Sequence, residues 1–299
     1  MSEYHVPVLL NESVEALTLK PGGCYVDVTF GGGGHSREIL RRLDGGRLIA
    51  FDQDADARQN IPNDPRFELV DQNFRYLKNN LRLRGVKEVD GVLADLGVSS
   101  HQFDVSERGF SFRLGGPLDM RMDQSNPRTA AHVLQHSEES ELADMFFKYG
   151  ELSNARRVAA AIVGHRANQT LETIGELLSA IEHLAPAKKP AQFYARVFQA
   201  LRIVVNDEMA ALEEMLQQAA DILKPGGRLV VISYHSLEDR LVKHFMKFGN
   251  FEGVPQKDFY GNLIRPMRTL TNKPVMPPEN EIETNSRARS ARLRIAEKL

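Results

Sequence analysis

One cysteine, Cys24, stands among the 299 residues. That scarcity excludes an internal disulfide framework and a cysteine-rich zinc site, and it fits a reducing compartment, so a cytoplasmic location is expected. Net charge is nearly absent too: 38 Lys and Arg against 40 Asp and Glu leave −2. A generically basic nucleic-acid coat is thereby excluded, and any polyanion site has to be a local cluster. No apolar run approaches the ~18 residues of a membrane helix. Met1 to His5 give no basic segment followed by an apolar one, so neither a span nor a secretion signal is expected. No ligand spacing asks for a metal. What is present is apolar material for a sizeable core, at 42% of residues, in a chain long enough for a core domain carrying a smaller second one.

The first hundred residues alternate short β-type runs with helical patterns, the rhythm of a doubly wound parallel sheet. Strands are expected at Cys24 to Thr29, Arg47 to Asp52, Phe67 to Val70 and Val89 to Leu96, with a helix from Ser36 to Leu43. Each strand is almost wholly apolar, as burial on both faces requires. From about Phe103 to Val205 no strong strand follows. Helical segments succeed one another there, among them Glu138 to Tyr149, Asn154 to His165 and Thr173 to Ala185, which reads as a helical insertion. The alternation then resumes with a helix at Leu212 to Leu223, a Lys-Pro-Gly-Gly turn (Lys224 to Gly227), a strand at Arg228 to Ser233 and a helix from about Leu237 to Phe248. A Pro-rich tract, expected to be irregular, leads to a last strand at Ala291 to Ala296. The expected fold is thus α/β, Rossmann-like and doubly wound. Residues 1–103 and 206–299 form its sheet domain and 104–205 the insertion.

Asp27 to Ser36 (DVTFGGGGHS) lies between the first strand and the first helix, where open α/β sheets bind ligands. A tight turn needs one or two glycines. Four in a row let the backbone turn with positive φ and approach a ligand without Cβ contacts, so a cofactor loop is the stronger reading. The nicotinamide fingerprint wants a third glycine where Ser36 stands, and there is no Gly-Lys-Ser/Thr for nucleotide phosphates. Asp27, Asp52, Asp54 and Asp95 instead crowd one sheet edge. Carboxylates repel a pyrophosphate but suit a cofactor with a sulfonium, an amino group and a ribose: S-adenosylmethionine. Asp52, 18 residues beyond Gly34, falls where a second-strand acid meets ribose hydroxyls. Asp54 reads as a solvated loop acid, and Phe74 either stacks on adenine or plugs the core.

Asp95 to Ser100 (DLGVSS) follows the fourth strand, on the acceptor side of such sites. Together with Gly31 to Ser36 (GGGGHS), Glu107 to Phe112 (ERGFSF), Gly116 to Asp123 (GPLDMRMD), Phe198 to Asn206 (FQALRIVVN), His235 to Arg240 (HSLEDR) and Asn285 to Arg289 (NSRAR), it resembles the ribosomal RNA small-subunit methyltransferase H, or MraW, family along nearly the whole chain, in order. The resemblance implies the fold of a class I S-adenosylmethionine-dependent methyltransferase. It also implies methylation of N4 of one cytidine in the decoding region of small-subunit (16S) ribosomal RNA, by a bacterial cytoplasmic enzyme, and calls for no stable protein partner. Carried onto matching positions, it places the cofactor on Gly33, Gly34, His35, Asp52, Phe74, Asp95 and Gln102.

Methyl transfer from a sulfonium is an in-line displacement governed by alignment. Attack from C5 of a pyrimidine would need a thiolate, and Cys24 lies at the wrong end of its strand. A cytosine amino group is a poor nucleophile that needs an acceptor for its proton; Asp95 either serves as that acceptor or only contacts the cofactor. Ser236 with Asp239 reads as a helix cap. His235, a catalytic candidate, and Arg240 stand on the substrate side or are structural. Arg287, Arg289, Arg292, Arg294 and Lys298 form a cationic cluster. In the insertion, Lys188, Lys189, Arg196 and Arg202 surround Phe193, Tyr194 and Phe198, which is either an RNA-gripping mixture or a solvated helix face over core aromatics. Two other readings stay open. A nicotinamide oxidoreductase is opposed by Ser36 and the acidic edge, and a silent RNA-binding protein is opposed by the intact acid and glycine set.

Overall fold

The computed structural model describes residues 7–299 and divides into two compact units, one of residues up to 97 and from 210 onward, the other of residues 98–209. The boundaries expected at 103/104 and 205/206 fall inside the second unit.

The chain opens with α1 (Leu10–Ala16), β1 (Cys24–Asp27), α2 (Gly34–Arg42), β2 (Arg47–Asp52), β3 (Phe67–Asp71), α3 (Leu77–Leu83) and β4 (Val89–Asp95). The second unit then contributes α4 (Ser100–Asp104), α5 (Ala130–His136), α6 (Glu139–Lys148), α7 (Ala155–Arg166), α8 (Ile174–Ile181) and α9 (Pro190–Asn206). After α10 (Glu208–Ile222) come β5 (Leu223–Ser233), α11 (Ser236–Phe248), β6 (Met267–Thr269), α12 (Glu279–Thr284) and β7 (Arg292–Lys298). Among the described residues no helix is long and apolar enough to cross a membrane.

The seven strands form one sheet in the order β3-β2-β1-β4-β5-β7-β6. The first five are parallel; β7 runs antiparallel to β5, and β6 antiparallel to β7. Alternate residues of each strand feed opposite faces. Val26, Ile49, Val92 and Val231 pack under Leu212, Leu216, Val242 and Phe245 of α10 and α11. Tyr25, Leu48, Leu93 and Val230 pack under Leu9, Val14, Ile39 and Leu40 of the α1 and α2 side. Full burial of each such side chain contributes roughly 1.5–3 kcal/mol, and helices on both faces make the sheet doubly wound. Strand order reverses between β1 and β4, so the carboxyl ends of these two strands, at Asp27 and Asp95, flank the switch-point crevice.

Two expectations are corrected. The fifth strand begins at Leu223, not Arg228, with the Lys-Pro-Gly-Gly segment taken up as an irregularity in its pairing with β4. The Pro-rich tract is also not wholly irregular, since it contains β6, an edge strand of 3 residues directly after Pro266. A strand that short shows no period of two.

In the second unit, Leu134, Phe146, Val158, Ile162, Leu177 and Val197 centre an apolar core. The Glu107 to Phe112 and Gly116 to Asp123 segments are fastened to its helices. Buried Arg108 donates through Nη2 to the carbonyls of Arg121 (2.9 Å) and Met122 (3.3 Å). Asn206, at the end of α9, accepts from the Met122 N–H (2.7 Å) and donates to the Met120 carbonyl (2.8 Å). Both segments therefore act as scaffolding inside this unit.

Candidate active site at the carboxyl edge of the sheet

The loop after β1 is organised by Asp27. That side chain is 1% exposed, accepts from the Thr29 N–H (3.1 Å) and the Ser36 hydroxyl (2.6 Å), and has its pKa pushed up by burial. It is an internal strut and not part of an exposed acidic edge. Ser36, which displaces the third glycine of a nicotinamide fingerprint, donates to this strut. Gly33 caps α2 at φ 74°. A Cβ on Gly34 would lie 2.0 Å from Pro7 Cγ, so only glycine fits there, whereas a Cβ on Gly32 would meet nothing within 4 Å. The loop thus leaves open space on one side, next to the first N–H groups of α2, which have no partners within the helix.

Asp52, at the end of β2, accepts from the Gly31 N–H at 2.7 Å through Oδ2 and from the Asp54 N–H at 2.8 Å through Oδ1. Burial pushes its pKa up to about 6. Each oxygen keeps a further lone pair, the arrangement two ribose hydroxyls require. Asp54 is not the solvated acid expected from the sequence. It is 5% exposed and accepts from the Asp56 N–H, capping a 3₁₀ turn. Phe74 opens the 3₁₀ turn after β3, partly buried against the α10-side core, with some of its surface still accessible.

Asp95 ends β4, and its N–H donates to Thr29 Oγ1 at 2.6 Å, tying the fourth strand to the glycine loop. The Tyr234 hydroxyl, at the end of β5, donates to Asp95 Oδ1 at 2.7 Å. On the other side, His35 Nδ1 lies 3.7 Å from Asp95 Oδ2, while His35 Nε2 lies 3.2 Å from the Val8 carbonyl. Burial holds His35 below its ordinary pKa, so the ring is neutral. With Nε2 carrying the proton toward Val8, as we assign from these partners, Nδ1 faces Asp95 as an acceptor. Burial, with Glu238 adding to it, raises Asp95 to about 7 against the opposing pull of the Tyr234 hydroxyl. Tyr234 itself is raised well above its ordinary value and stays a donor. The result is a carboxyl group poised between its two forms near neutrality, the tuning expected of a catalytic acceptor.

Tyr234, Thr29 and Ser36 are the parts of this network that sequence reasoning missed. The helix cap after β5 is also one residue earlier than expected. The His235 side chain, not that of Ser236, accepts from the Glu238 N–H (3.4 Å), and Glu238 accepts in return from the N–H groups of Tyr234 (2.8 Å) and His235 (3.3 Å). The imidazole of His235 is thereby engaged in holding α11. Asp239 pairs with Arg292 (2.9 Å) and Arg294 (2.6 Å), which neutralises part of the cationic cluster expected near the C-terminus. Arg240 is exposed. Cys24 is at the amino end of β1, away from the carboxyl edge, and its thiol is pushed up by burial.

In the second unit, Gln102 is buried at position N3 of α4 and forms a capping box with Ser99. Phe193 and Phe198 are core residues, 4% and 5% exposed, and so are not available to stack on bases. Arg202 pairs with Glu208 (2.8 Å), and Arg196 donates to the Glu151 carbonyl. The solvated-face reading of α9 holds for these groups, while Lys188 and Lys189 stay exposed.

A family model described as the MraW methylase family matches residues 2–299. This chain belongs to that family. The ribosomal RNA small subunit methyltransferase H of Bacteroides fragilis is 61% identical to this chain over 99% of its residues and 97% of the relative's length. The protein of the same name from Bacteroides thetaiotaomicron is 60% identical over 99% and 97%. That of Flavobacterium johnsoniae is 55% identical over 99% and 98%. As an MraW methylase the protein is an S-adenosylmethionine-dependent methyltransferase, and its site fits that donor. Open space lies beside Gly32, carboxylates are presented in place of phosphate-binding groups, and Asp52 has acceptor capacity to spare.

Proposed function

We propose that this MraW methylase acts in the cytoplasm on small-subunit ribosomal RNA and methylates N4 of one cytidine in its decoding region. The observation that carries the reading is Asp95 at the switch point, a carboxyl group held near neutral pKa, with its backbone N–H fixed on Thr29 and one carboxylate oxygen fixed by the Tyr234 hydroxyl. S-adenosylmethionine, when bound, supplies an electrophilic methyl on a cationic sulfur. Asp52 and the N–H groups at Gly34 and His35 would hold it, with Gly33 supplying the left-handed turn, since its own N–H donates to the Phe30 carbonyl (2.7 Å); because the His35 ring is buried, that residue's contribution comes from its backbone.

The acceptor's lone pair is delocalised into the cytosine ring. Asp95 in its carboxylate form accepts one amino N–H and orients that lone pair; as the N–C bond forms, the amino group becomes acidic and its proton passes to Asp95, then to water. The Tyr234 hydroxyl holds one carboxylate oxygen and leaves the other for the substrate. Two features favour nitrogen over carbon as the acceptor. The single cysteine lies at the opposite end of β1 with a raised pKa, so no thiolate adds to the ring. A carboxylate near neutrality suits an amine. A base inside folded RNA has to be splayed out to reach the methyl group, which favours a looped target. The insertion follows the Asp95 loop directly in the chain and is the candidate RNA-recognition unit, with Lys188 and Lys189 among its exposed cations.

Transfer of label from methyl-labelled S-adenosylmethionine to small ribosomal subunits, followed by digestion of the RNA to nucleosides, tests the reading. N4-methylcytidine at one site, lost in Asp95→Ala, is the expected result. Label in another nucleoside would overturn the acceptor, and no transfer to mature or immature subunits would leave a silent RNA-binding protein.

A further inference from the structure

Between α11 and β6 the chain forms a two-stranded finger that the site does not use. The Ile264 N–H donates to the Gln256 carbonyl and the Asp258 N–H to the Asn262 carbonyl, both at 2.9 Å. The Asp258 carboxylate accepts from the N–H groups of Tyr260 (2.9 Å) and Asn262 (2.8 Å) and from Asn262 Nδ2 (3.1 Å), so the turn is braced from within. At the tip stand Phe259, 98% exposed, and Tyr260, 86% exposed, with their rings 5.7 Å apart edge to face. The root is fixed as well. Asn250 donates to the Val254 carbonyl (2.7 Å), and Arg265 donates to the carbonyl of Lys247 on α11 (3.3 Å). Two adjacent aromatic rings in water on a braced turn mark an interaction surface.

The chemistry around the finger selects the partner. From Lys243 to Lys273 the sequence holds six Lys and Arg against two acids, Glu252 and Asp258; Asp258 is spent on the turn and Arg268 on Glu297 (2.6 Å). A cleft of about 280 Å³ adjoins the root, lined by Lys243, Lys247, Thr269, Thr271, Asn272 and Arg294, with no acidic side chain in its lining. Lys243 and Lys247 are exposed, whereas the charge of Arg294 is already answered by Asp239. Cations with hydroxyl and amide donors suit phosphates, and exposed aromatic faces suit unpaired bases.

We propose that the finger and cleft grip a single-stranded segment of the RNA substrate, remote from the acceptor base, with phosphates in the cleft and unpaired bases on Phe259 and Tyr260. The proposal rests on the reading of RNA as the substrate. The fold fixes the spacing. α11 leaves the carboxyl edge at Ser236 and runs back for 13 residues, about 20 Å at 1.5 Å per residue. The finger therefore stands at the opposite edge from Asp95, and only an RNA long enough to span both edges engages it.

The test compares the intact protein with the double variant Phe259→Ala, Tyr260→Ala, whose exposed positions leave the fold intact by an unchanged Tm. Methylation is measured on full-length small-subunit RNA and on a short stem-loop holding the acceptor region. On the long RNA, KM rises roughly tenfold or more, as loss of stacking on two rings implies, with kcat within about twofold; on the stem-loop the two proteins match. In Lys243→Glu, Lys247→Glu the salt dependence of long-RNA binding falls by a slope of about 1.4, two phosphate contacts to a single strand. Equal KM on the long RNA would overturn the proposal. So would a defect seen on assembled subunits but not on naked RNA, which would assign the finger to a ribosomal protein. An intact protein that methylates no RNA would remove the substrate reading and the proposal together, whereas RNA methylation indifferent to the double variant would remove the finger alone.

Discussion

Replacing Tyr234 by phenylalanine deletes one hydroxyl and asks whether Asp95 is the group whose ionisation sets the rate. Burial and Glu238 push Asp95 up and the Tyr234 hydrogen bond draws it down, with the balance at about 7. A hydrogen bond to a charged acceptor is worth about 1.5–3 kcal/mol, and one pK unit corresponds to about 1.4 kcal/mol. Loss of the bond therefore raises Asp95 by about one to two units, nearer one because its side chain is 22% exposed and water replaces part of the bond. The active acceptor is the carboxylate, so kcat/KM of the parent protein climbs as pH rises through about 7 and then levels. In the variant the climb moves to between about pH 8 and 9, so at pH 7 the rate falls roughly five- to fifty-fold and most of it returns by about pH 9.5. The assay is initial rate against pH at subsaturating RNA and constant ionic strength. An unmoved midpoint with a uniformly lower rate would make Tyr234 a packing residue. A parent profile with no limb near neutrality would take Asp95 out of proton transfer.

Asp52→Ala removes the acceptor proposed for the ribose and weakens S-adenosylmethionine binding roughly tenfold or more by calorimetry; unchanged affinity would place the ribose elsewhere. His235→Ala removes the cap of α11 and lowers stability by about 1 kcal/mol in denaturant unfolding, while a fall in kcat well beyond that of the cap loss would return the imidazole to the chemistry. Gly34→Ala puts a Cβ where Pro7 stands and lowers stability by about 1–3 kcal/mol; a neutral result would mean that the Pro7 segment yields freely. Asp52 and Asp95 have raised pKa values, about 6 and about 7, so the stability they contribute is present below pH ~4 and lost as pH rises through those values. A cationic donor offsets that loss. S-adenosylmethionine thus binds several-fold more tightly at pH 8 than at about pH 5.5, while neutral-sulfur S-adenosylhomocysteine shows a flatter profile; parallel profiles would refute the electrostatic account.

What could be read from the chain followed physical period and position. β2 was legible to the residue, since an apolar run buried on both faces stands between Gly46 and the polar edge at Asp52. Asp52 and Asp95 were legible as site acids because they end parallel strands next to a glycine loop, and topology alone brings such ends together. Tyr234 was not. It lies 139 residues from Asp95, and an aromatic at the end of an apolar strand carries no mark of its hydrogen-bond partner. The helix cap illustrates a different failure. Ser236 with Asp239 and His235 with Glu238 have the same spacing, and the choice falls to tertiary structure, because Arg292 and Arg294 on β7 claim Asp239. The aromatics of α9 had two readings for the same reason, and only packing distinguishes a core Phe198 from one that meets a base.

The carboxyl edge poses a problem that the rest of the molecule has to solve. The groups that suit a sulfonium donor, Asp52 and Asp95, repel the phosphates of the proposed substrate, and a net charge of −2 provides no general attraction to compensate. Arg292 and Arg294, part of the C-terminal cationic cluster, are answered by Asp239, so their charge is largely spent within the fold. Affinity for an RNA has therefore to come from surfaces remote from the reacting atoms, with the acceptor base delivered to the acidic edge at the cost of local repulsion. The cationic stretch from Lys243 to Lys273, which begins about 10 Å along α11 from the carboxyl edge and passes beyond that helix's far end, meets that requirement. Such a division also yields selectivity: a free nucleoside or short oligonucleotide meets the repulsive edge without the remote grip, and only a long folded RNA meets both.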